Sequence, residues 1–136
     1  MKRLLGLDVG SRTIGIAVSD PLGLTAQGHS VLRRTNLNDD LKRLSEIIAE
    51  YSVETVVIGL PKNMNNSIGF QAEQTLEFVE VLKNTSTCQV VLWDERLTTK
   101  AAQMHLRESG MTRKKRSQLV DMVAAIYILE GYLNSR

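Results

Sequence analysis

The fold is decided by the stretch LLGLDVGSRTIGIAVS, which spans residues 4–19. Its first part, residues 4–9, is a short apolar run closed by Gly10, a pattern typical of a buried strand. Its second part, residues 13–19, is also mostly apolar and predicts a second strand. The turn between them is too short for a helical crossover, so we expect the two strands to form an antiparallel hairpin.

Three further strands are predicted downstream of the hairpin. Residues 24–32 indicate the third strand, because Pro21 and Gly23 break the chain just before it. Residues 55–60, with the sequence TVVIGL, are apolar or β-branched throughout, which favours a parallel strand covered on both faces. Residues 90–93 have the same character and predict another buried strand.

Helices are predicted where apolar residues recur at helical spacing, over residues 39–51, 70–83, about 98–110 and about 117–133. Asn36 or Asn38 can cap the first helix, and Phe70 is expected on the inner face of the second. A basic loop is expected before the last helix. The resulting order, β-β-β-α-β-α-β-α-α, predicts an α/β fold. We expect a mixed five-stranded sheet, in which three antiparallel strands are followed by parallel β-α units, flanked by helices.

Length and composition predict one globular domain over residues 1–136, in which 43% of residues are hydrophobic and 24% charged. No apolar run reaches the roughly 18 residues that a membrane span needs, and no signal peptide is visible, so no membrane association is expected. The single cysteine, Cys88, can form neither an internal disulfide nor a zinc knuckle. A reducing, cytoplasmic setting is therefore expected.

The charges are unevenly distributed along the chain. Residues 36–95 hold ten acidic and four basic side chains, whereas residues 96–119 hold seven basic side chains and one acidic. A concentration of positive charge is typical of a surface that binds the phosphate backbone of nucleic acid. A solvated basic loop explains the charge equally well, so the charge pattern alone leaves both interpretations open.

Three acidic positions are candidates for chemistry. Asp8 lies near the end of an apolar strand, where burial of a lone carboxylate is costly and where ligands gather in α/β sheets. Asp94 and Glu95 end the 90–93 strand at the same edge. Asp121 lies one turn into the last predicted helix, which is nearly all apolar after it, and an acid in a buried helix needs a partner. Each also has a structural explanation: Asp8 as a turn cap, Asp94 or Glu95 beside a helix N-terminus, and Asp121 as a capping or surface residue before the buried part of the helix.

Considered together, the acids predict more than each does alone. Two carboxylates ending neighbouring strands, with a third from a closely packed helix, form an oxygen-only ligand set that suits Mg²⁺ or Mn²⁺. Two such ions, about 3.5–4 Å apart, can support an in-line phosphoryl displacement.

Four motifs in order resemble the YqgF (RuvX) family of bacterial Holliday-junction-resolvase-like nucleases, also described as pre-16S rRNA nucleases. They are GLDVGS at residues 6–11, IGLPKNM at 58–64, WDERLTT at 93–99, and DMVAA at 121–125 followed by Ile128 and Leu129. The resemblance covers essentially the whole chain. It implies a ribonuclease-H-like fold with Asp8, Glu95 and Asp121 in the acidic cluster.

Basic residues near these motifs are candidates for binding nucleic acid. Arg12 could hold a phosphate beside Asp8, and Arg96 could steer the scissile phosphate or pair with Asp94. Phosphate contacts are also expected from Arg113, Lys114, Lys115 and Arg116. The predicted activity is metal-dependent cleavage of structured RNA or branched DNA. A non-cleaving ribosome-assembly factor is the alternative, and a homodimer would suit paired cuts in a DNA junction.

Overall fold

The computed structural model describes residues 3–60, 69–94, 104, 106–110 and 112–136, with backbone only at 114 and 116–118. Its strands are β1 (Arg3–Val9), β2 (Thr13–Ser19), β3 (Ala26–Arg33), β4 (Val53–Leu60) and β5 (Gln89–Asp94). Its long helices are α1 (Leu37–Glu50), α2 (Phe70–Thr85) and α3 (Arg113–Asn134). Among these helices, none combines the length and apolar character that a membrane crossing requires.

The five strands form one mixed sheet in the order β3-β2-β1-β4-β5. β1 pairs antiparallel with β2, and β2 antiparallel with β3, whereas β4 runs parallel to both β1 and β5. This arrangement confirms the predicted fold class and the hairpin. The 90–93 strand was expected to be buried, but β5 lies at the sheet edge, where Leu92 is 40% exposed.

The helices cover the two faces of the sheet. On one face, Leu5 and Leu7 of β1 pack with α1 and α2 in a core that includes Leu44 and Phe78. On the other face, α3 packs its Ala125, Ile128, Leu129 and Leu133 against Leu4, Ala17 and Val57. Successive strand side chains point to opposite faces, so these two clusters define the direction of every residue along β1 and β2.

Two helix predictions need correction. Phe70, expected on the inner face of α2, is 75% exposed, and Phe78 fills the core two turns later. The expected basic loop before the last helix is instead the first turn of α3, which begins at Arg113. Thr112 caps that turn because its side chain accepts a hydrogen bond from the Lys115 backbone N–H at 3.3 Å.

Candidate active site

Asp8 lies near the carboxyl end of β1, on the face of the sheet that α3 covers. Leu4 packs in the α3 cluster, and Gly6 lies so close to α3 that an added Cβ would be 2.8 Å from the Leu129 Cβ. Because Leu4, Gly6 and Asp8 alternate along one strand, the half-buried Asp8 side chain shares their direction toward α3. Asp8 therefore lies between two layers of secondary structure and not in a surface turn.

Asp121 is brought to Asp8 by a glycine on the neighbouring strand. Gly15 is the residue paired with Asp8 across the β1–β2 ladder, so the two lie side by side and face the same way. A Cβ added to Gly15 would be 1.9 Å from the backbone oxygen of Asp121. The helix backbone at Asp121 therefore occupies the space above Gly15, directly beside the side chain of Asp8.

The Asp121 carboxylate is oriented by a hydrogen bond from β2. The Thr13 hydroxyl, which is on the same face as Gly15, donates a short hydrogen bond to Asp121 Oδ2. This bond joins residues 108 positions apart in the sequence and fixes one carboxylate oxygen. Among the hydrogen bonds of the described residues, none involves the other oxygen, whose lone pairs can bind a second ligand. Asp8, Asp121 and Thr13 together give a group of hard oxygen donors, which fits Mg²⁺ or Mn²⁺ better than a soft metal.

Glu95 and Arg96, predicted at this site, lie outside the described residues. Asp94 is described, and its direction shows whether it can share the role predicted for Glu95. Trp93 packs against α3, where its Nε1 would be 2.8 Å from a Cβ on Gly131, so the adjacent Asp94 points to the opposite face. The direction of Asp94 is therefore away from Asp8 and Asp121. Within the described residues there is no group of three His, Cys, Asp or Glu side chains suited to a metal.

The basic residues predicted to bind nucleic acid lie near the ends of the elements that carry Asp8 and Asp121. Arg12 is exposed in the β1–β2 turn, four residues beyond Asp8. Arg113 and Lys115 are exposed in the first turn of α3, and the backbone of Lys114 and Arg116 lies in the same turn. At 1.5 Å per residue, that turn starts roughly 12 Å along the helix from Asp121.

The first turn of α3 is electropositive for two reasons. Its backbone N–H groups carry the positive end of the helix dipole, and it has no acidic side chain to offset the four bases. Positive side chains at this positive end of the dipole oppose helix formation, and a bound anion relieves the repulsion between them. The local electrostatics thus favour phosphate near α3.

Sequence reasoning missed the residues that assemble the site, namely Thr13 and Gly15. Gly15 did carry a signal, because a glycine inside an apolar strand often marks a close approach of another backbone. The hydroxyl of Thr13 carried none, since threonine is common in strands for reasons of shape alone.

Comparisons with known families and sequences show what this chain is similar to. A family model described as "RuvX: Holliday junction resolvase" matches residues 2–135. A protein of Clostridium acetobutylicum named "Putative pre-16S rRNA nuclease" is 56% identical over 133 residues, covering 98% of both chains. A protein of the same name from Clostridium tetani is 53% identical, covering 98% of this chain and 96% of its own length.

Two solved structures share the fold at low sequence identity. The RuvC protein of T. thermophilus, in complex with a Holliday junction substrate, matches with a TM-score of 0.63 and 17% identity, covering 98% of this chain and 95% of that chain. The Fowlpox virus resolvase, in complex with Holliday junction DNA, matches with a TM-score of 0.61 and 14% identity over 98% and 97% of the two chains. The similarity extends over nearly the whole chain and supports the ribonuclease-H-like fold.

Proposed function

The chain belongs to the RuvX family, and from that premise we propose that it is a metal-dependent endonuclease, folded as one domain, that cleaves structured nucleic acid. The observation that carries the proposal is the position of the Asp121 backbone above Gly15, the strand partner of Asp8. Two acidic residues from different elements thus lie on one face of the sheet, near the carboxyl end of its central strand β1. Glu95, directly after β5 in the sequence, is the proposed third ligand.

Asp8, Glu95 and Asp121 would hold Mg²⁺ or Mn²⁺ through their carboxylate oxygens. When bound, a divalent cation supplies positive charge that activates a water nucleophile and offsets charge on the phosphate oxygens. The chain's own groups supply position. Thr13 orients the Asp121 carboxylate through its hydroxyl, and the β1–β2 ladder fixes the direction of Asp8. Held geometry of this kind lowers the barrier because the reacting groups need not reorganise.

The nucleic acid is proposed to lie along α3 toward the acidic site. Arg12 and the basic first turn of α3, Arg113–Arg116, would contact phosphates, and Arg96 would approach the scissile phosphate. The roughly 12 Å between the basic turn and Asp121 corresponds to about three to four nucleotides of duplex rise. Phosphate contacts fix the register of a substrate but carry no sequence information, so shape is expected to determine specificity.

The favoured substrate is the precursor of 16S rRNA, at its 5′ end, in the cytoplasm. The names of the relatives from the two clostridia support it, since those sequences match this chain along its full length. A four-way DNA junction is the second candidate, because the family description is that of a Holliday junction resolvase. Paired cuts in a junction would require two sites, which a two-fold homodimer supplies.

A cleavage assay that offers both substrates side by side tests the proposal. We expect the wild-type chain to cut one of them with Mg²⁺ or Mn²⁺ and to stop when EDTA is added. Asp8→Asn should be inactive, whereas Glu46→Gln, which removes an exposed acid from α1, should cut normally. Binding of either substrate without cleavage in any metal would favour the ribosome-assembly alternative. Full cleavage in EDTA would contradict the metal mechanism.

A further inference from the structure

The end of β1 beyond its pairing with β4 is held by side chains from other elements. The parallel β1–β4 register ends at Leu7, which pairs with Ile58. The next residues, Asp8, Val9 and Gly10, lie beyond that pairing. Buried carbonyls need hydrogen-bond partners. Here the carbonyls of Val9 and Gly10 each accept a hydrogen bond from a long polar side chain.

Gln71 holds the first of these carbonyls. Its Nε2 donates to the Val9 oxygen at 3.1 Å, joining residues 62 positions apart. Gln71 lies in the first turn of α2 and is half-buried, so the bond connects the start of that helix to the residue directly after Asp8. No such constraint is needed for α2 to pack, because Phe78, Val79 and Leu82 already fill the core beneath it.

Arg34 holds the second carbonyl and the turn that follows. Its Nη1 donates to the Gly10 oxygen at 2.9 Å, and its backbone N–H donates to the Arg12 oxygen at 2.9 Å. The guanidinium is fixed in turn, since its Nε pairs with Asp40 at 3.1 Å and Asp40 is only 1% exposed. The group also lies 5.6 Å above the Phe78 ring. The Arg34 side chain thus holds the Gly10 side of the turn that carries Arg12, and the Arg34 backbone holds the other side.

We propose that Gln71 and Arg34 are positioning residues that fix the end of β1, and with it the Asp8 carboxylate, for divalent-metal binding. The inference rests on the proposed function. The two residues act from the sheet face opposite α3 and do not touch the metal. The direction of the Asp8 side chain follows its backbone, and that backbone has lost the β4 ladder on one side. Groups that orient metal ligands commonly change metal affinity or activity by about 10–100-fold when they are removed.

The first test compares Gln71→Met with Gln74→Met. Both variants replace an α2 glutamine by an apolar side chain of similar length, but Gln74 is exposed and makes no contact with β1 among the described hydrogen bonds. Mg²⁺ binding is measured by calorimetry without substrate. We expect about tenfold weaker binding in Gln71→Met and wild-type binding in Gln74→Met. In cleavage, kcat should fall at sub-saturating Mg²⁺ while KM for nucleic acid stays constant.

The second test compares Arg34→Lys with Arg43→Lys, and it guards against misfolding of a single variant. Lysine keeps a positive charge beside Asp40 but loses the planar fork that reaches Asp40 and Gly10 together. Arg43 is the matched control, because its Nη1 also donates to a strand carbonyl, that of Arg33 at 3.0 Å. We expect weaker Mg²⁺ binding only in Arg34→Lys, with a melting temperature of the metal-free protein close to that of Arg43→Lys.

The outcomes separate this inference from the proposed function. If the wild-type chain binds Mg²⁺ and cleaves, while Gln71→Met and Arg34→Lys fold and bind Mg²⁺ as tightly as their controls, the positioning role is overturned. A rise in KM for nucleic acid together with a loss of metal-free stability, without a change in Mg²⁺ affinity, overturns it as well. A wild-type chain that neither binds Mg²⁺ nor cleaves overturns the proposed function itself.

Discussion

Gly15 lies directly beneath the main-chain carbonyl of Asp121, and a Cβ on Gly15 would come within 1.9 Å of that oxygen. Since Gly15 is the ladder partner of Asp8, the missing side chain is what allows the helix backbone at Asp121 to lie beside the strand position of Asp8. The packing of α3 on the sheet and the assembly of the candidate active site therefore both depend on the absence of a Cβ at Gly15.

Gly15→Ala should destabilise the protein and disrupt the site together. The new methyl group meets helix backbone, which cannot give way locally, so we expect a loss of about 1–3 kcal/mol or more in the free energy of unfolding. Gly28→Ala is the control, because its methyl would meet the flexible side chain of Met122, with Sδ at 2.9 Å. Chemical denaturation of both variants checks this, and equal losses would contradict the backbone-contact explanation.

Asp8→Asn should abolish cleavage yet leave the metal-free protein as stable as the wild type, or slightly more so. The change keeps size and hydrogen bonding and removes repulsion between like-charged carboxylates. Stabilisation by added Mg²⁺ should shrink, because ligand binding to the native state stabilises it by mass action. Melting temperatures with and without Mg²⁺, beside turnover, test this. A destabilised but active variant would show that Asp8 is a structural turn residue.

Thr13→Val should loosen the Asp121 carboxylate with little change in shape. The lost hydrogen bond should cost roughly 1 kcal/mol of stability, and weaken Mg²⁺ binding by about tenfold. Thr13→Ser keeps the hydroxyl and should retain most of the metal affinity. Calorimetric titration of the three proteins with Mg²⁺ makes the comparison. Equal affinities in Thr13→Val and wild type would remove Thr13 from the site.

Replacing residues 114–116 with alanine should weaken binding to all nucleic-acid sequences alike. On duplex DNA, the slope of log K against log salt should fall by up to about 0.9 for each lost phosphate contact. A control that removes three positive charges elsewhere, Lys42, Arg43 and Lys83 on α1 and α2, should leave the slope nearly unchanged. Binding titrations at several salt concentrations measure it. Identical slopes in both variants and the wild type would mean that the first turn of α3 is only solvated.

Asp20 predicts an acid-sensitive contribution to stability, far from the site. The backbone N–H of Thr25, and then those of Leu24 and Leu22, donate to its carboxylate and lower its pKa. A depressed native pKa stabilises the fold above the ordinary aspartate value, and this stabilisation is lost as the pH falls below about 4. The melting temperature of Asp20→Asn should therefore approach that of the wild type in acid. A difference that stays constant from neutral to acid pH would contradict this assignment.

Much of the fold could be predicted because its signals are local. The hairpin of residues 4–19 follows from two apolar runs and a turn too short for a crossover, and the structure confirms the second strand at the same bounds. The Asn36 cap of α1 was one of two expected, and its side chain accepts from the Asp39 N–H at 2.9 Å. Caps and strand periods depend on neighbours within a few residues, so sequence alone can determine them.

Other features were decided by tertiary contacts. Phe70 and Phe78 have similar apolar character, and only the position of α2 on the sheet exposes one and buries the other. The basic segment places positive charge at the positive end of a helix dipole, which disfavours a helix. It nevertheless forms the first turn of α3, because the later turns of that helix are fixed by the core. Packing outweighs local preference here because a helix is stabilised mainly by the apolar face it buries.

The candidate site shows the same division. The sequence by itself determined which residue types could hold a hard cation and the elements on which Asp8 and Asp121 lie. Only the tertiary structure decided that the Asp121 backbone packs over Gly15 beside Asp8, that Asp94 faces away, and that Gln71 and Arg34 hold the end of β1. These relations join residues tens to more than a hundred positions apart. They depend on how close two backbones approach, and that distance is set by the packing of whole layers rather than by any local pattern.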